Sequence, residues 1–258
     1  NLNERVDVPK TSDELEELAS TSNSLLDRIA QAFSRERQFI GDVAHELKTP
    51  VATLRGGIEL VLSKNRTNGE YKQTLSETLI DVNRLSTTIR NILDLAWLGA
   101  DNANLGEHHF NVSATVMELR DIAARLAAQK HITIQGDIEP NVDVVGVEDK
   151  IYRAILNVID NAIKYTPEDN TVTISLYKKR KMAMIHVKDT GSGISEKDLA
   201  HIFDRFYRGS KTAKTVGSGL GLAIAQGIIK AHGGDIKILS TLGKGTTVSI
   251  SLPLINIA

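Results

Sequence analysis

The chain has 258 residues, enough for more than one domain, and its 41% hydrophobic and 24% charged residues are typical of a soluble protein. Its formal net charge of -1 argues against a dedicated nucleic-acid-binding surface, and the absence of cysteine excludes disulfides and thiolate metal sites. No apolar run approaches the roughly 18 residues that a membrane-spanning helix needs.

The first part of the chain is rich in helix-forming residues. Apolar residues three or four apart predict a coiled-coil seam, interrupted once by serine, at Leu15, Leu18, Ser22, Leu25, Ile29 and Phe33. The polar run at 20–24 weakens this seam. The sequence leaves two interpretations open, a poorly packed helix or one whose packing is adjustable.

A second apolar stripe runs through Ile40, Val43, Leu47, Val51, Leu54, Ile58 and Val61. A polar turn at 64–69 follows it, and then a further stripe at Leu75, Leu79, Val82, Leu85, Ile89, Ile92 and Ala96. Two helices joined by a short loop form an antiparallel hairpin, which cannot enclose its apolar stripes alone. Two copies can do so as a four-helix bundle, so we predict a homodimer built through residues 34–98.

The segment from Gly99 to His109 is polar and is predicted to be a linker. Beyond it Ser113 is expected to cap a helix, and short β-type runs alternate with helical ones. The predicted strands are 132–134, 142–145, 172–177, 182–187, 236–239 and 247–252, and the later helices are about 147–165, 195–206 and 219–232. Gly233 and Gly234 are expected to end the last helix. This half predicts an α+β sandwich, with a mixed sheet covered on one face by helices.

His45 lies in the run FIGDVAHELKTPV, shortly before Pro50. Proline cannot donate to the carbonyl of Glu46, so we expect the helix to bend there and to expose the histidine ring. Neutral imidazole is a good nucleophile toward phosphorus, and Glu46 is the nearest group that could accept its proton. An isolated histidine would more simply be a solvated surface residue. Together with Pro50, Glu46 and the motifs below, His45 is predicted to be reactive.

Asn157 and Asn161 are four residues apart on a predicted helix, and Lys164 and Tyr165 continue the same stripe. Two amides, a cation and a phenol suit Mg²⁺ and a polyphosphate, because Mg²⁺ prefers hard oxygen ligands. The opposite stripe of Ile151, Ile155, Val158 and Ala162 is predicted to face the core.

Two glycine-rich motifs follow. Asp189, Gly191 and Gly193 come directly after a predicted strand, where an aspartate can accept a hydrogen bond from an amino group such as that of adenine. The run GSGLGL, which contains Gly217, Gly219, Gly221 and Leu222, opens a predicted helix whose N-terminus favours phosphate. Residues 208–216 between them are predicted to be a mobile lid over the nucleotide. The chain has neither a P-loop nor a GxGxxG pattern, so neither of those nucleotide-binding folds is expected.

These motifs, in this order, resemble those of bacterial sensor histidine kinases. HELKTP resembles the phospho-acceptor box, NVIDNAIKYT the asparagine box, and DTGSGI, IFDRFYRG and GSGLGLAI the glycine and phenylalanine boxes. The resemblance implies a dimerisation and phosphotransfer hairpin followed by a Bergerat-type ATP-binding domain. It also implies Mg²⁺-ATP as phosphoryl donor, ADP as product and an aspartate of a response regulator as final acceptor.

The same resemblance implies roles for individual residues. Asn161 would coordinate Mg²⁺ with help from Asn157, and Asp189 would bind the adenine amino group. Lys164, Tyr165, Arg208 and Lys211 would approach ribose or phosphate, and the two glycine motifs would shape the pocket. Thr49, four residues after His45, would hold the attacking water in a second activity, dephosphorylation of the regulator. A plain threonine before a proline is an equally weighted reading of Thr49.

Residues 1–33 resemble the second half of a HAMP linker, with Pro9 followed by Asp13-Glu14-Leu15. We therefore expect a partial HAMP helix at 1–33, the phosphotransfer hairpin at 34–98, a linker at 99–109 and the catalytic domain at 110–258. The HAMP resemblance implies a soluble cytoplasmic piece of a protein anchored in the inner membrane by a segment upstream. Two alternatives are an ATPase clamp of the same fold, which would share the asparagine and glycine boxes, and a pseudokinase scaffold, whose nucleotide boxes would be damaged although none is damaged here.

Overall fold

A computed structural model describes residues 4–8, 14–65, 67–99, 108–209 and 218–255. Contacts divide the chain into two compact units, Asn1–Thr88 and Ile89–Ala258. The second long helix crosses this boundary, so its last eleven residues belong to the second unit. No helix in the described ranges is both long and apolar enough to cross a membrane.

The first unit is a helical hairpin, as predicted. Helix α1 spans Glu14–Leu62 and contains Pro50, and helix α2 spans Asn68–Gly99. A capping box opens α2, because the Glu70 carboxylate accepts from the Thr67 N–H at 2.8 Å while the Glu70 N–H donates to Thr67 Oγ1 at 3.3 Å. The predicted turn at 64–69 is therefore too long, since the helix already begins at Asn68.

Residues 4–8 contact α1 at the polar run that weakens the seam. Asn23 binds the main chain of Val6 twice, accepting from its N–H at 2.9 Å and donating to its carbonyl at 2.8 Å. Arg5 and Asp27 form an ion pair one helical turn further on. Asn23, directly after the serine that interrupts the seam, thus holds this N-terminal segment against the helix.

The second unit continues with β1 (His108–Asn111), α3 (Val112–Ala128), β2 (Thr133–Gln135), β3 (Asp143–Gly146), α4 (Glu148–Tyr165), β4 (Thr171–Lys179), β5 (Met182–Asp189), α5 (Glu196–Leu199), α6 (Gly221–Ala231), β6 (Asp235–Thr241) and β7 (Gly245–Pro253). Five strands form one sheet in the order β2-β4-β5-β7-β6. Strand β2 is parallel to β4 and the other pairs are antiparallel, so the predicted mixed sheet is confirmed.

The core lies between this sheet and helices α3, α4 and α6. Val172, Ile174 and Leu176 alternate along β4 with more exposed residues and are buried against the helices. The buried stripe of α4 is the predicted one, at Ile151, Ile155, Val158 and Ala162. The helix-covered sheet is the sandwich that the periodicity predicts.

The predicted linker is wrong at its C-terminal end. His108 and His109 belong to β1, which pairs antiparallel with β3, while their side chains remain exposed. The predicted cap at Ser113 is also wrong, because Asn111 caps α3 by accepting from the Ala114 N–H. Ser113 is buried inside the first turn, where its hydroxyl donates to the Glu139 carbonyl at 2.6 Å and accepts from the Val142 N–H at 3.0 Å.

The helix predicted at 195–206 is much shorter, because α5 ends at Leu199 and a series of turns follows, with Phe206 at a positive φ of 62°. The predicted glycine end of α6 is confirmed. Gly233 has φ 69°, its N–H donates to the Lys230 carbonyl, and the Gly234 N–H donates to the Ile229 carbonyl. This pair of bonds is a Schellman motif, for which the positive φ favours glycine.

Candidate functional site

Helix α4 presents the predicted polar stripe on the face opposite its core residues. Asn157, Asn161, Lys164 and Tyr165 are half-buried, so each is accessible and yet held by the fold. The Lys164 ammonium lies 4.8 Å from the centre of the Tyr165 ring, a cation–π distance. Lys130 fixes the end of this helix by donating to the carbonyls of Ile163 and Lys164, each at 3.2 Å.

The two asparagines border the glycine-rich start of α6. Asn157 Nδ2 donates to the Gly221 carbonyl at 3.2 Å, and a Cβ at Gly221 would lie 3.8 Å from Asn161 Nδ2. Leu220 caps α6 without a side-chain hydrogen bond to the first turn. The N-terminal N–H groups of α6 thus lie beside the asparagine stripe, where they favour an anion.

Asp189 ends strand β5 and is only 7% exposed. Its Oδ1 accepts from the backbone N–H groups of Gly191 at 2.9 Å and Thr246 at 3.1 Å. Burial raises the pKa of the Asp189 carboxyl, and these two hydrogen bonds oppose the shift. Among the hydrogen bonds of the described residues none uses Oδ2, so this oxygen can accept from a ligand.

The first glycine motif is fitted against the end of α4. A Cβ at Gly191 would lie 2.5 Å from the Tyr165 carbonyl oxygen, so only glycine fits there. The next residue, Ser192, donates its N–H to that same carbonyl at 3.3 Å. The strand end that carries Asp189 and the stripe that carries Tyr165 are therefore joined through the main chain.

The second glycine motif touches the phenylalanine-box segment. Gly219 has φ 69°, and a Cβ there would lie 2.6 Å from the Phe206 carbonyl carbon and 2.7 Å from the Tyr207 oxygen. Residues on either side of the predicted lid, Tyr207 and Gly219, thus lie close together. Arg208 is exposed, whereas Lys211, Gly217 and most of the predicted lid lie outside the described residues.

Tyr207 is held at the start of that segment. Its hydroxyl donates to Asp198 Oδ1 at 2.8 Å, which raises the pKa of the Tyr207 phenol. Ser195 donates to the other oxygen of Asp198 at 2.6 Å. Neither Asp198 nor Thr246 is singled out by the sequence analysis, because neither belongs to a glycine or asparagine motif.

His45 lies in the first unit, on α1. Its side chain is exposed, Glu46 is half-buried, and Thr49 Oγ1 donates to the His45 carbonyl at 3.4 Å. An exposed imidazole can act as a nucleophile, and Glu46, the next residue along the helix, is a candidate to accept its proton. The bend that Pro50 predicts stays a prediction, since α1 is continuous through this residue.

The residues around Asn157 and Asn161 fit a magnesium ion only in part. The described residues contain no group of three or more histidine, aspartate or glutamate side chains placed to hold a metal. Asn157 uses its amide nitrogen on Gly221, which leaves its oxygen as an acceptor, and Asn161 contributes a second amide. Mg²⁺ bound here would take its remaining ligands from phosphate and water, as is usual for this ion.

Two family models match the chain. Residues 35–101 match the His Kinase A (phospho-acceptor) domain, and residues 146–256 match the histidine kinase-, DNA gyrase B- and HSP90-like ATPases. The first match contains His45, and the second contains the α4 stripe, Asp189 and both glycine motifs.

Curated relatives agree with these matches. Sensor protein CzcS of Cupriavidus metallidurans is 31% identical over 257 residues, which cover 98% of this chain and 53% of the relative. Sensor histidine kinase CusS of Escherichia coli is 32% identical over 259 residues, with the same coverage. Sensor histidine kinase RppB of Synechocystis is 36% identical over 233 residues, covering 89% of this chain and 51% of the relative. The chain spans about half the length of these relatives.

Solved structures show the same fold. The mycobacterial sensor histidine kinase MprB is 28% identical with a TM-score of 0.51, covering 57% of this chain and 97% of that one. The histidine kinase AdeS of Acinetobacter baumannii has a TM-score of 0.65 at 23% identity over 82% of this chain and 98% of that one, a likeness of fold. The chain belongs to the two-component sensor histidine kinases.

Proposed function

We propose that this chain binds Mg²⁺-ATP in its second unit, transfers the γ-phosphoryl group to His45, and passes it on to an aspartate of a response regulator. The observation that carries the proposal is the exposed imidazole of His45, in a phospho-acceptor domain on the same chain as a histidine-kinase-type nucleotide site.

The roles of the nucleotide-site residues follow from their chemistry. Asp189 Oδ2 accepts from the adenine amino group, since Oδ1 is already used by Gly191 and Thr246. The N-terminal N–H groups of α6 and the Lys164 ammonium face the phosphates, with Tyr165 and Arg208 near ribose or phosphate. Asn161 and Asn157 would hold a magnesium ion, which would neutralise charge on the phosphates. Gly191, Gly193, Gly219 and Gly221 let the main chain approach the ligand.

The transfer step needs little covalent chemistry from the protein. A ring nitrogen of neutral His45 attacks the γ-phosphorus with its lone pair, a P–N bond forms, and the bond to the β-phosphate oxygen breaks as ADP leaves. The ring proton on the other nitrogen passes to Glu46. Positioning and neutralisation of charge are the main requirements of phosphoryl transfer, and the asparagine stripe and helix N-terminus provide both.

The test is incubation with Mg²⁺ and γ-labelled ATP. We expect acid-labile, base-stable label on the parent and none on His45→Ala or Asn161→Ala. His109→Ala and Asp160→Ala are matched controls, because His109 is an exposed histidine on β1 and Asp160 an exposed residue of α4. Both controls should label like the parent. Label that survives His45→Ala would contradict the assignment of the acceptor.

An ATPase clamp of the same fold is the second candidate, because the matching nucleotide-domain family includes gyrase- and HSP90-like ATPases. It would release inorganic phosphate without labelling the protein. A pseudokinase scaffold would bind a regulator and neither label nor hydrolyse. The labelling experiment separates all three.

We also propose that the first unit forms a homodimer. Large apolar side chains of both helices are exposed, with Ile40 61% and Leu75 63% accessible. A second copy would bury this surface in a four-helix bundle, whose apolar burial would stabilise the assembly. Ile58→Glu places a charge on this surface and should shift the sedimenting species toward monomer, whereas Glu59→Gln beside it should not.

Thr49 is proposed to serve the reverse reaction, in which a water hydrolyses the phosphoaspartate of the regulator. Its hydroxyl is exposed and lies one helical turn from His45. Thr49→Ala should lower the rate of regulator dephosphorylation while leaving labelling of His45 within about twofold. Equal rates of dephosphorylation by parent and variant would show that Thr49 has only a structural role before Pro50.

Attachment to a membrane remains a proposal, supported by relatives that are named sensor proteins and by the HAMP-like N-terminal residues. Pro9 and Asp13, on which that resemblance depends, lie outside the described residues.

A further inference from the structure

The last turns of α2 are part of the folded body of the second unit. Asn91, Asp94 and Leu95 are 6%, 5% and 4% exposed, although they lie near the end of a helix that otherwise exposes most of its side chains. Leu98 packs against the backbone of Gly227 on α6. The Trp97 ring stacks on the His232 ring, with 6.2 Å between the ring centres. The end of α2 is thus packed on the helix that the second glycine motif opens.

Asp94 carries a buried charge within this contact. Lys150 Nζ lies 2.7 Å from its Oδ1, and Arg153 Nε lies 3.5 Å from its Oδ2. Asp94 Oδ2 and Arg153 Nε are buried and form no hydrogen bond within the described part of the chain. Removing the carboxylate would leave the two cations without their shared counter-charge, whereas either cation alone would still balance Asp94.

Asn91 extends the network toward the nucleotide site. Its side-chain oxygen accepts from Arg153 Nη2 at 2.9 Å, and its nitrogen donates to Ser218 Oγ at 3.4 Å. Arg153 lies one helical turn before Asn157 on α4, and Ser218 directly precedes Gly219. One polar network therefore joins α2 to both elements that are proposed to hold the phosphates and the magnesium ion.

We infer that Asn91 and Asp94 are positioning residues for the nucleotide site. The inference rests on the proposed function. Neither side chain touches the proposed ligand; Asn91 acts through Ser218, and Asp94 acts through Arg153, which Asn91 also binds. A turn that is already ordered loses less freedom when it binds a ligand, so holding Ser218 raises affinity for the phosphates.

The effect is expected at the phosphate end of the ligand alone. Asp189, which is proposed to bind adenine, is held by Gly191 and Thr246 and has no bond to the network among the described residues. ATP and ADP should therefore lose affinity when the network is broken, while adenosine should not. A general loosening of the fold would weaken all three ligands.

The coupling is reciprocal, so nucleotide must also tighten the packing of α2. Trp97 is the single tryptophan of the chain and lies inside this contact, with Lys150 Nζ 5.2 Å from its ring centre. Its fluorescence in the intact chain reports the packing of α2 without a label. ATP should change the Trp97 emission of the parent, and the change should be smaller in Asn91→Ala.

The experiment is titration calorimetry of the whole chain with Mg²⁺-ATP, Mg²⁺-ADP and adenosine. Asn91→Ala and Ser218→Ala should each weaken ATP and ADP about fivefold or more, and adenosine by less than about twofold. The double variant should bind ATP no more weakly than the weaker-binding single variant, because both substitutions remove the same hydrogen bond between Asn91 and Ser218. Arg90→Ala, an exposed neighbour on α2, is the matched control and should bind like the parent.

Asp94→Asn tests the ion cluster, and Ser218→Ala, which leaves that cluster intact, keeps the inference testable if Asp94→Asn unfolds. A parent that binds no ATP overturns the proposed function and the inference with it. If the parent binds ATP and the Asn91 and Ser218 variants bind it with the same affinity as the parent, only the inference is overturned. The inference is also overturned if the variants lose affinity for adenosine as strongly as for ATP. Faster labelling of His45 at unchanged ATP affinity would overturn it too, because the network would then restrain the enzyme.

Discussion

The Thr246 N–H donates to Asp189 Oδ1 at 3.1 Å, which ties the start of strand β7 to the end of strand β5. The Gly191 N–H donates to the same oxygen, so one carboxylate oxygen is used by the fold while the other is left for a ligand. Structure and proposed recognition are thus divided between two atoms of one side chain.

Asp189→Asn should separate these two roles. Burial raises the pKa of Asp189 in the folded chain above its unfolded value, so folding favours the protonated carboxyl. The stability that this preference contributes is complete below the unfolded pKa and is lost as pH rises through the folded pKa. At neutral pH the buried carboxylate therefore opposes folding. Asparagine keeps an oxygen for Gly191 and Thr246 without the charge, but it turns a donor toward the adenine amino group.

We accordingly expect Asp189→Asn to be at least as stable as the parent near neutral pH and to bind ATP at least tenfold more weakly. Urea denaturation without nucleotide and calorimetry with ATP measure the two effects. Parallel losses of stability and binding would mean that the charge itself supports the fold.

Gly219→Ala should destabilise the second unit and weaken ATP binding. An alanine there adopts φ 69° and brings its Cβ to 2.6 Å from the Phe206 carbonyl carbon. Gly243→Ala is the matched control, because Gly243 has φ 78° with no atom within 4 Å of a Cβ. The control should lose about 1 kcal/mol from backbone strain, and Gly219→Ala should lose more. Equal urea midpoints for the two variants would show that the contact with Phe206 relaxes freely.

His186 should make the chain less stable in mild acid. Burial and the nearby Lys179 lower the pKa of His186, and the Tyr177 hydroxyl lies 3.1 Å from its Nε2. The stability that this residue contributes is complete above the unfolded pKa of 6.5 and is lost as pH falls through the lower folded pKa. His186→Gln should lessen the fall in urea midpoint below pH 6.5, whereas His109→Gln, at an exposed histidine, should retain it. An unchanged profile in His186→Gln would assign the acid sensitivity to other groups.

Asn23→Ala should release residues 4–8 from α1. The variant loses both hydrogen bonds to the Val6 main chain while keeping the helix, since alanine is a better helix former than asparagine. The Val6 amide should exchange with solvent faster than in the parent, measured by hydrogen–deuterium exchange. Ser24→Ala, at an exposed neighbouring position, should leave that exchange unchanged.

Strong periodicity made the long elements predictable. The buried stripe of α4 and the alternation along β4 follow from apolar spacing, and Gly233 marked the end of α6 because that end needs a positive φ. Strand β1 escaped prediction because HHFN has one apolar residue and pairs with a strand 32 residues or more away. Ser113 was misassigned because its hydroxyl bonds to Glu139 and Val142, partners that only the fold brings near.

The site was predictable where asparagine stands in a helix that disfavours it and where glycines cluster in the sequence. Asn157 and Asn161 stand in the middle of a helix, and Gly191 and Gly219 stand where a side chain would collide. The network of Asn91, Asp94 and Arg153 was not predictable, because polar residues on a helix usually face water. Their partners are 56 to 127 residues away in the sequence, and only tertiary packing reveals that Asn91 and Asp94 are buried.

The packing of the last turns of α2 also bears on the predicted linker that follows them. Gly99 and His108 both belong to the second unit, so both ends of the connection between them lie in one unit. The distance between Gly99 and His108 is therefore set by the fold of the second unit and not by the length of the segment that connects them. Doubling that segment would cost only about 0.6 kcal/mol of closure entropy, which makes it a tolerant place to insert a reporter domain or an affinity tag.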